Sequence, residues 1–191
     1  PDKKTNTTIV NNNGHYTVTT TTTRGANAFN SFGKFSVTAG DVVDLHLPQN
    51  TRNLINLVWD AQAMIDGTVN SRLGDNADDP IGGRVFFVDP HGLVVGKNGS
   101  INVGSLSVTT ANPSFMLRLL DGSDTSAINS LLTGNIDASD MADGDVSIEG
   151  TVNAKNGIRI QARAIDTTGT LYTLASGAGD KLTSEVAVNA G

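Results

Sequence analysis

Short runs of three to six residues, rich in β-branched side chains and interrupted by Gly or Asn, recur through most of this chain. Within them an apolar residue occupies every second position, as in residues 146–154 and 157–162. Strands so short cannot form an ordinary sandwich unless longer strands pair with them. They are typical of a parallel β-helix, in which three short strands make one coil and equivalent positions stack on the next coil. The pattern therefore predicts an all-β parallel helix, and a jelly roll stays open because no strict repeat period is present.

The composition narrows the fold class further. Of 191 residues, 22 are Thr, 19 are Asn and 21 are Gly, and Asp outnumbers Glu 17 to 2. Such a mixture is poor in helix formers and rich in turn formers, which excludes a helical bundle or a coiled coil. Hydrophobic residues make up 38% of the chain, enough to build a core. The length suits one domain.

Charge and cysteine content exclude several classes of function. The net charge is −6 and no basic stripe is present, so nucleic acids and anionic membrane surfaces are poor partners. The absence of Cys excludes disulfides, thiolate catalysis and Cys-ligated zinc. No apolar run is long enough to span a bilayer. Because the chain begins at Pro1 without Met, we expect a processed or excised fragment.

Local patterns predict the elements. Residues 7–18 read as short strands around an Asn-Asn-Gly turn, the all-β-branched run 17–23 as one strand, and residues 65–69 as one strand containing a Gly. Residues 114–120 and 126–132 have helical periodicity, and the second segment is capped by Asp124 or Thr125 and ended by Gly134. Alternation predicts the following inward-facing core residues: Val94, Ile101, Val103, Ile148, Val152, Ile158 and Ile160.

The sequence offers little for catalysis or metal binding. The histidines are far apart in sequence and lack metal-ligand spacing, which is why we interpret them as ordinary strand or turn residues: His15, His46 and His91. Four carboxylates cluster within nine residues: Asp137, Asp140, Asp143 and Asp145. A calcium-loop register fails because Ser139 and Met141 stand where acids are needed, so we interpret this cluster as a solvated acidic turn, with a weak cation site as the alternative. We therefore expect no catalytic residue, metal or cofactor.

One turn carries more information than the others. Asp89, Pro90, His91 and Gly92 have the residue types of a type I turn, in which Asp caps the turn, Pro fixes φ and Gly follows. It separates two strongly apolar runs, residues 85–88 and 93–95, and so sets their register.

Residues 81–106 around this turn resemble the two-partner secretion domain of filamentous-haemagglutinin-like exoproteins. The hallmark of that family is an N-P-N-G-[IL] turn followed by a G-x-I-N-V-G-x-L coil. The turn is matched by five consecutive residues, with Asp for the first Asn and His for the second: Asp89, Pro90, His91, Gly92 and Leu93. Upstream, two segments are similar to the family's N-terminal motifs and contribute these residues: Asn27, Phe29, Asn30, Phe32 and Asn56.

The resemblance spans roughly residues 9–170. Residues 147–160 and the helical segment are similar to the leukotoxin-type branch of filamentous adhesins. The family's second turn, N-P-N-L, is replaced here by Pro48-Gln49-Asn50-Thr51, so no role of that motif is carried over.

This resemblance implies a right-handed parallel β-helix with N-terminal capping strands and a short helical insertion. It implies one domain over residues 1–191, with the cap and first strands in about 1–60, coils in 61–175 and the insertion near 114–133. The domain would be the N-terminal part of a larger exoprotein, monomeric, secreted or displayed on the bacterial cell surface. The POTRA domains of a cognate outer-membrane transporter would recognise it unfolded, through residues 89–93.

Three functions follow as alternatives. The first is a non-enzymatic export and folding-nucleation domain of an adhesin that acts in cell adhesion, aggregation or biofilm formation. Its downstream part would contact polysaccharide or a host or neighbouring cell surface. The second is the same kind of domain on a secreted toxin or cytolysin. The third is a polysaccharide-active β-helix enzyme that uses the Asp cluster.

Overall fold

The computed structural model describes residues 1–122, 124–173 and 186–190. Short strands follow one another along the chain, and a helical segment interrupts them once. The strands before the helices are β1 (Thr7–Asn12), β2 (His15–Thr20), β3 (Thr23–Arg24), β4 (Asn27–Phe32), β5 (Ser36–Val37), β6 (Val42–Leu47), β7 (Asn53–Val58), β8 (Ala63–Ile65), β9 (Thr68–Leu73), β10 (Arg84–Val88), β11 (Gly92–Val95), β12 (Ser100–Val103) and β13 (Ser105–Thr109). The elements after them are α1 (Pro113–Asp121), α2 (Thr125–Thr133), a 3₁₀ turn (Ala138–Asp140), β14 (Asp145–Ile148), β15 (Thr151–Ala154), β16 (Ile158–Ala162), β17 (Ala164–Thr167), β18 (Thr170–Thr173) and β19 (Val186–Ala190).

These strands form three sheets. Sheet 1 has the order β1-β2-β6-β9-β12-β15-β18, sheet 2 the order β19-β16-β13-β10-β7-β4-β3, and sheet 3 the order β17-β14-β11-β8-β5. The β1–β2 and β3–β4 pairs are antiparallel and lie at the N-terminal end, whereas the pairs that follow in each sheet are parallel. Five successive triplets, β4–β5–β6 through β16–β18, therefore stack as coils 1 to 5. The predicted parallel β-helix is confirmed, with antiparallel strands at its N-terminal end.

Turn chemistry explains the first hairpin. Asn13 and Gly14 both have positive φ, 50° and 85°, which the favoured two-residue hairpin turn requires. The predicted Asn-Gly turn is confirmed. The prediction of a single strand over residues 17–23 is wrong, because β2 ends at Thr20. The Thr20 hydroxyl donates to the Phe29 carbonyl, and the Thr22 carbonyl accepts the Phe29 N–H, so the chain turns from sheet 1 into sheet 2.

A column of apolar side chains fills the space between the sheets. Six of the seven predicted core residues belong to it and are at most 2% exposed: Ile101, Val103, Ile148, Val152, Ile158 and Ile160. The prediction that Val94 faces inward is wrong, because Val94 is only half-buried while Leu93 and Val95 are buried. β11 pairs Leu93 with Ala63 and Val95 with Ile65, which places the odd-numbered positions inward. Because β11 is apolar at every position after Gly92, hydrophobic alternation does not show which of its side chains face the core.

The predicted strand over 65–69 is also wrong. β8 ends at Ile65 and β9 begins at Thr68, in a different sheet. Gly67 lies at the corner between them, where a Cβ would collide with the carbonyl oxygens of Thr38 and Asp41 in the preceding coil. This Gly marks a corner between strands and not the middle of a strand.

The helical insertion leaves coil 4 between β13 and β14. Asn112 caps α1 by accepting the Phe115 N–H, and Asp124 caps α2 by accepting from Ser126 and Ala127. Gly134 ends α2 with φ 75°. Phe115, Met116, Leu119, Ala127 and Leu131 pack on the outer face of sheet 2 and form a second core. The predicted helices and caps are confirmed, and neither helix is long enough to span a membrane in the part of the chain that the structure describes.

The stacked core makes a direct prediction about stability. Ile101 is fully buried and lies between Val69 and Val152 in sheet 1. We expect Ile101→Ala to lower the free energy of unfolding by about 2–5 kcal/mol, since a cavity remains between coils 2 and 4. Urea melts measure the change, and a loss below about 0.5 kcal/mol would show that Ile101 does not pack in the core.

Candidate functional site

The turn formed by Asp89, Pro90, His91 and Gly92 connects β10 in sheet 2 to β11 in sheet 3. The Gly92 N–H donates to the Asp89 carbonyl at 3.1 Å, which closes the turn. The Asp89 Oδ1 accepts the His91 N–H at 2.9 Å, so the carboxylate caps the turn as the sequence predicted. The following Leu93 is fully buried in the core.

The second carboxylate oxygen of Asp89 has a task that the sequence did not reveal. Asp89 Oδ2 accepts the backbone N–H of Ala63 at 2.8 Å, in the equivalent corner of coil 2. The Asp89 N–H donates to the Thr109 carbonyl in coil 4 at 3.1 Å. Asp89 is fully buried, so this one residue ties three consecutive coils together away from water.

Burial controls the ionisation of this carboxyl. Removal from water raises the pKa of Asp89 from 3.8 to about 6, although hydrogen bonds from His91 and Ala63 and the nearby His91 ring, 3.4 Å away, act in the opposite direction. The turn therefore contains a carboxyl that titrates near neutral pH.

This raised pKa predicts how stability changes with pH. Because the folded-state pKa lies above the unfolded value, the protonated form of Asp89 favours the folded chain. We expect the stability difference between wild type and Asp89→Asn to be most favourable to the wild type below about pH 4. This advantage of the wild type in free energy of unfolding should shrink by about 3 kcal/mol as the pH rises through 6. Urea melts of both proteins from pH 3.5 to 7.5 measure this difference, and a difference that does not vary with pH would contradict the raised pKa.

Gly92 is in close contact with the next coil. Its φ is 94°, and a Cβ there would lie 2.8 Å from both the N and the carbonyl C of Asp145, with the carbonyl oxygen closer still. A Cβ on Gly144 would lie 2.6 Å from the Gly92 N and from the Pro90 carbonyl. Two glycines facing each other thus allow the turn of coil 3 and the corner of coil 4 to stack without a gap.

Around this turn the surface forms a shallow groove. Its lining residues come from three coils: Gln62, Pro90, His91, Asp143, Gly144 and Asp145. The Gln62 amide donates to the Asp145 carbonyl at 3.3 Å, and the Arg163 guanidinium pairs with the Asp145 carboxylate at 2.9 Å. In the folded domain only the edge of the turn, chiefly the half-exposed His91, faces this groove.

The N-terminal motif residues form a buried hydrogen-bond chain. The Thr7 hydroxyl in β1 donates to Asn30 Oδ1 at 2.9 Å, and Asn30 Nδ2 donates to Asn56 Oδ1 at 3.0 Å. Asn56 Nδ2 then donates to the Phe86 carbonyl at 3.1 Å. Asn30 and Asn56 are fully buried, so these bonds fasten the N-terminal hairpin to coils 1, 2 and 3.

The remaining N-terminal motif residues are structural in the folded domain. Phe29 belongs to the core under the helical insertion, and Phe32 belongs to the core between the sheets. The Asn27 side chain accepts from Asn53 at 2.7 Å. The two motifs meet in sheet 2, since the Asn56 chain ends on β10, the strand that runs directly into Asp89.

A second polar ladder was missed by the sequence analysis. Asn153 donates to Asn102, Asn102 to Asn70, and Asn70 to Asp44, each at 2.8 Å, across four coils of sheet 1. His15 contacts the same Asp44 at 2.9 Å. Burial alone would raise the pKa of Asp44, but these hydrogen bonds and the Arg72 charge hold it below its usual range. The signal was present as a Ser/Thr-Val/Ile-Asn triplet that recurs at residues 68–70, 100–102 and 151–153.

The acidic cluster forms no metal-binding group. Asp140 pairs with Arg118 at 2.6 Å and Asp145 with Arg163 at 2.9 Å. Within residues 1–122, 124–173 and 186–190, no three His, Asp or Glu side chains are placed to hold a metal ion. His46 is buried, and its Nδ1 lies 2.7 Å from the Gly74 carbonyl.

Parallel coils, antiparallel strands at the N-terminal end and an Asp-Pro-His-Gly turn anchored by the buried Asp89 define a β-helical domain. The family model for the TPS secretion domain, the two-partner secretion domain, matches residues 1–190, and the chain belongs to this family. No curated protein matches the chain. Such domains are export signals: an outer-membrane transporter recognises them, and the proteins that carry them cross the outer membrane. This family is one of secretion domains and not of known enzymes.

Proposed function

We propose that this domain is the export signal and folding nucleus of a large secreted adhesin of the leukotoxin-type filamentous branch. The POTRA domains of its transporter read residues 89–93 in the unfolded chain, and the N-terminal motif contributes through Asn30 and Asn56. Once outside, the domain folds first, and the rest of the exoprotein adds coils to it. The downstream part contacts polysaccharide or a neighbouring or host cell surface.

Burial of the motifs carries this proposal. Asp89, Asn30 and Asn56 are fully buried in the folded domain. A transporter that recognises these residues therefore meets them before the coils stack. In the extended chain the apolar runs on both sides of the turn have free backbone N–H and C=O groups, which can add as a strand to a sheet edge of the transporter.

The stacked architecture supports a role in nucleation. Asp89 joins three coils, and the Asn56 chain joins the N-terminal hairpin to coil 3. In a stacked protein each coil contacts chiefly its neighbours, so a closed N-terminal end lets folding propagate in one direction. The capping hairpin also covers strand edges that would otherwise pair with other chains.

An adhesin and a secreted toxin would use this domain in the same way, and we favour the adhesin on the resemblance of residues 147–160 and of the helical insertion. The polysaccharide-active enzyme is not favoured. Asp140 and Asp145 are both engaged by arginines, which suits a structural surface better than an acid–base pair.

The test is transport of a reporter. Residues 1–191 are fused in front of a small reporter and produced in the periplasm with or without the cognate transporter. We expect reporter in the medium only when both the domain and the transporter are present. Equal amounts of reporter in the medium without the transporter, or with a fusion that lacks residues 81–106, would contradict the proposal.

A further inference from the structure

The outer face of sheet 2 carries a groove of about 290 Å³ beside the end of the helical insertion. Its polar and aromatic lining comes from β10, β13, the corner before β16 and β16 itself: Arg84, Phe86, Ser105, Ser107, Asn156 and Arg159. The register explains the lining, because Arg84 pairs with Ser105, and Ser107 lies between Phe86 and Arg159. The intervening Val85, Leu106 and Ile158 point into the core.

Two arginines face this groove, and no acidic side chain among the described residues pairs with either. Among the ion pairs of the described residues, none involves Arg84 or Arg159. Burial and, next, the positive charge of Arg159 lower the pKa of Arg84. Concentrated positive charge is unusual on a chain with a net charge of −6.

Within the described part of the chain, most N–H donors of these two arginines have no partner. Arg84 donates from Nη2 to the Leu132 carbonyl at 2.9 Å and lies over the Phe86 ring. The Arg159 guanidinium lies against Gly134, where a Cβ would come within 2.8 Å of its central carbon. No hydrogen bond from Arg159 is formed within the described ranges, although a guanidinium has five N–H donors.

A buried hydroxyl completes the arrangement. Ser107 is only 8% exposed, and its Oγ has no hydrogen-bond partner among the residues that the structure describes. Buried polar atoms without partners are rare, and each needs an explanation. Here the hydroxyl lines the same groove as the two guanidinium groups.

We propose that this groove binds an oxyanion, a carboxylate, sulfate or phosphate group, held by the guanidinium groups of Arg84 and Arg159 and by the Ser107 hydroxyl. Planar guanidinium groups match such anions with paired hydrogen bonds. None of the described residues that line the groove is a carboxylate, which disfavours a cation. The volume exceeds that of a bare ion, so the oxyanion can belong to a single acidic sugar as well as to a free inorganic anion. This site is separate from the export motifs and does not depend on them.

The test is an NMR titration of the ¹⁵N-labelled 191-residue chain. The probes are inorganic sulfate, inorganic phosphate and glucuronate, with glucose and sodium chloride at matched ionic strength as controls. We expect saturable shifts at residues 105–107 and 157–159 with at least one oxyanion and none with the controls. Glucuronate alone would assign the site to an acidic sugar, and sulfate or phosphate would assign it to a free anion. No saturable shift with any of the three would overturn the proposal.

Two variants and a matched control decide whether the named groups bind. Arg159→Gln should weaken binding about tenfold or more, because one charged hydrogen-bonding group is lost. Ser107→Ala removes the unpartnered hydroxyl, so it should fold well and still bind more weakly. Arg163→Gln changes an exposed arginine that pairs with Asp145 elsewhere, and it should bind as the wild type does. Unchanged binding in both Arg159→Gln and Ser107→Ala would show that the arginines serve only the end of α2.

Discussion

Replacing Gly92 with Ala is expected to lower the free energy of unfolding by at least about 4 kcal/mol, a loss that few single substitutions reach. Two effects combine at this position. Ala at a φ of 94° is strained, which alone costs about 1–3 kcal/mol. The new Cβ would also overlap the backbone of Asp145 in the next coil, and a backbone cannot rotate away as a side chain can.

The chain contains a matched control for this experiment. Gly40 has nearly the same backbone conformation, with a φ of 90°, but a Cβ there would meet nothing within 4 Å. Gly40→Ala should therefore show only the cost of the strained backbone, about 1–3 kcal/mol. Urea melts of both variants separate strain from collision. Equal losses in the two variants would show that the coils do not stack closely at residue 92.

Alternation and turn chemistry made the general fold predictable. The short strands, the Asn-Gly hairpin, the caps of the helical insertion and six of the seven inward residues follow from rules that act within a few residues. Each of these features depends on neighbours in the chain, and a single sequence contains that information.

Features that depend on contacts between neighbouring coils could not be predicted in the same way. Alternation predicts Val94 inward, but β11 is apolar throughout, and only its pairing with β8 shows which of its side chains face the core. The local sequence predicts one strand over residues 65–69 that includes Gly67, whereas the role of Gly67 as a corner depends on Thr38 and Asp41 in the preceding coil. The tie between Asp89 and Ala63 spans 26 residues and leaves no local pattern.

Measurements of secretion should separate the recognition role of the turn from its structural role. The Gly92→Ala variant alone cannot do this, because the substitution also destabilises the fold. Gly150 provides the comparison. A Cβ at Gly150 would collide with the carbonyl oxygens of Gly96 and Gly99, again backbone atoms of an adjacent coil, but at a corner outside the 89–93 motif. Gly150→Ala should therefore weaken stacking by a similar mechanism while leaving the proposed recognition residues unchanged.

We expect Gly92→Ala to reduce secretion through the transporter severalfold more than Gly150→Ala does. Under the proposed function the transporter meets an unfolded chain, so loss of folded-state stability by itself need not block recognition, whereas a change in the turn alters the residues that are recognised. Secreted protein is measured in the medium, with protease added to cell suspensions to detect stalled chains, and it is plotted against the melting temperature of each refolded variant. Pro90→Ala introduces no new Cβ, releases the restraint on φ and restores a backbone N–H, and this variant should fall below the line defined by Gly150→Ala and Gly40→Ala. If all four variants fall on one line of secretion against melting temperature, the turn serves the fold alone.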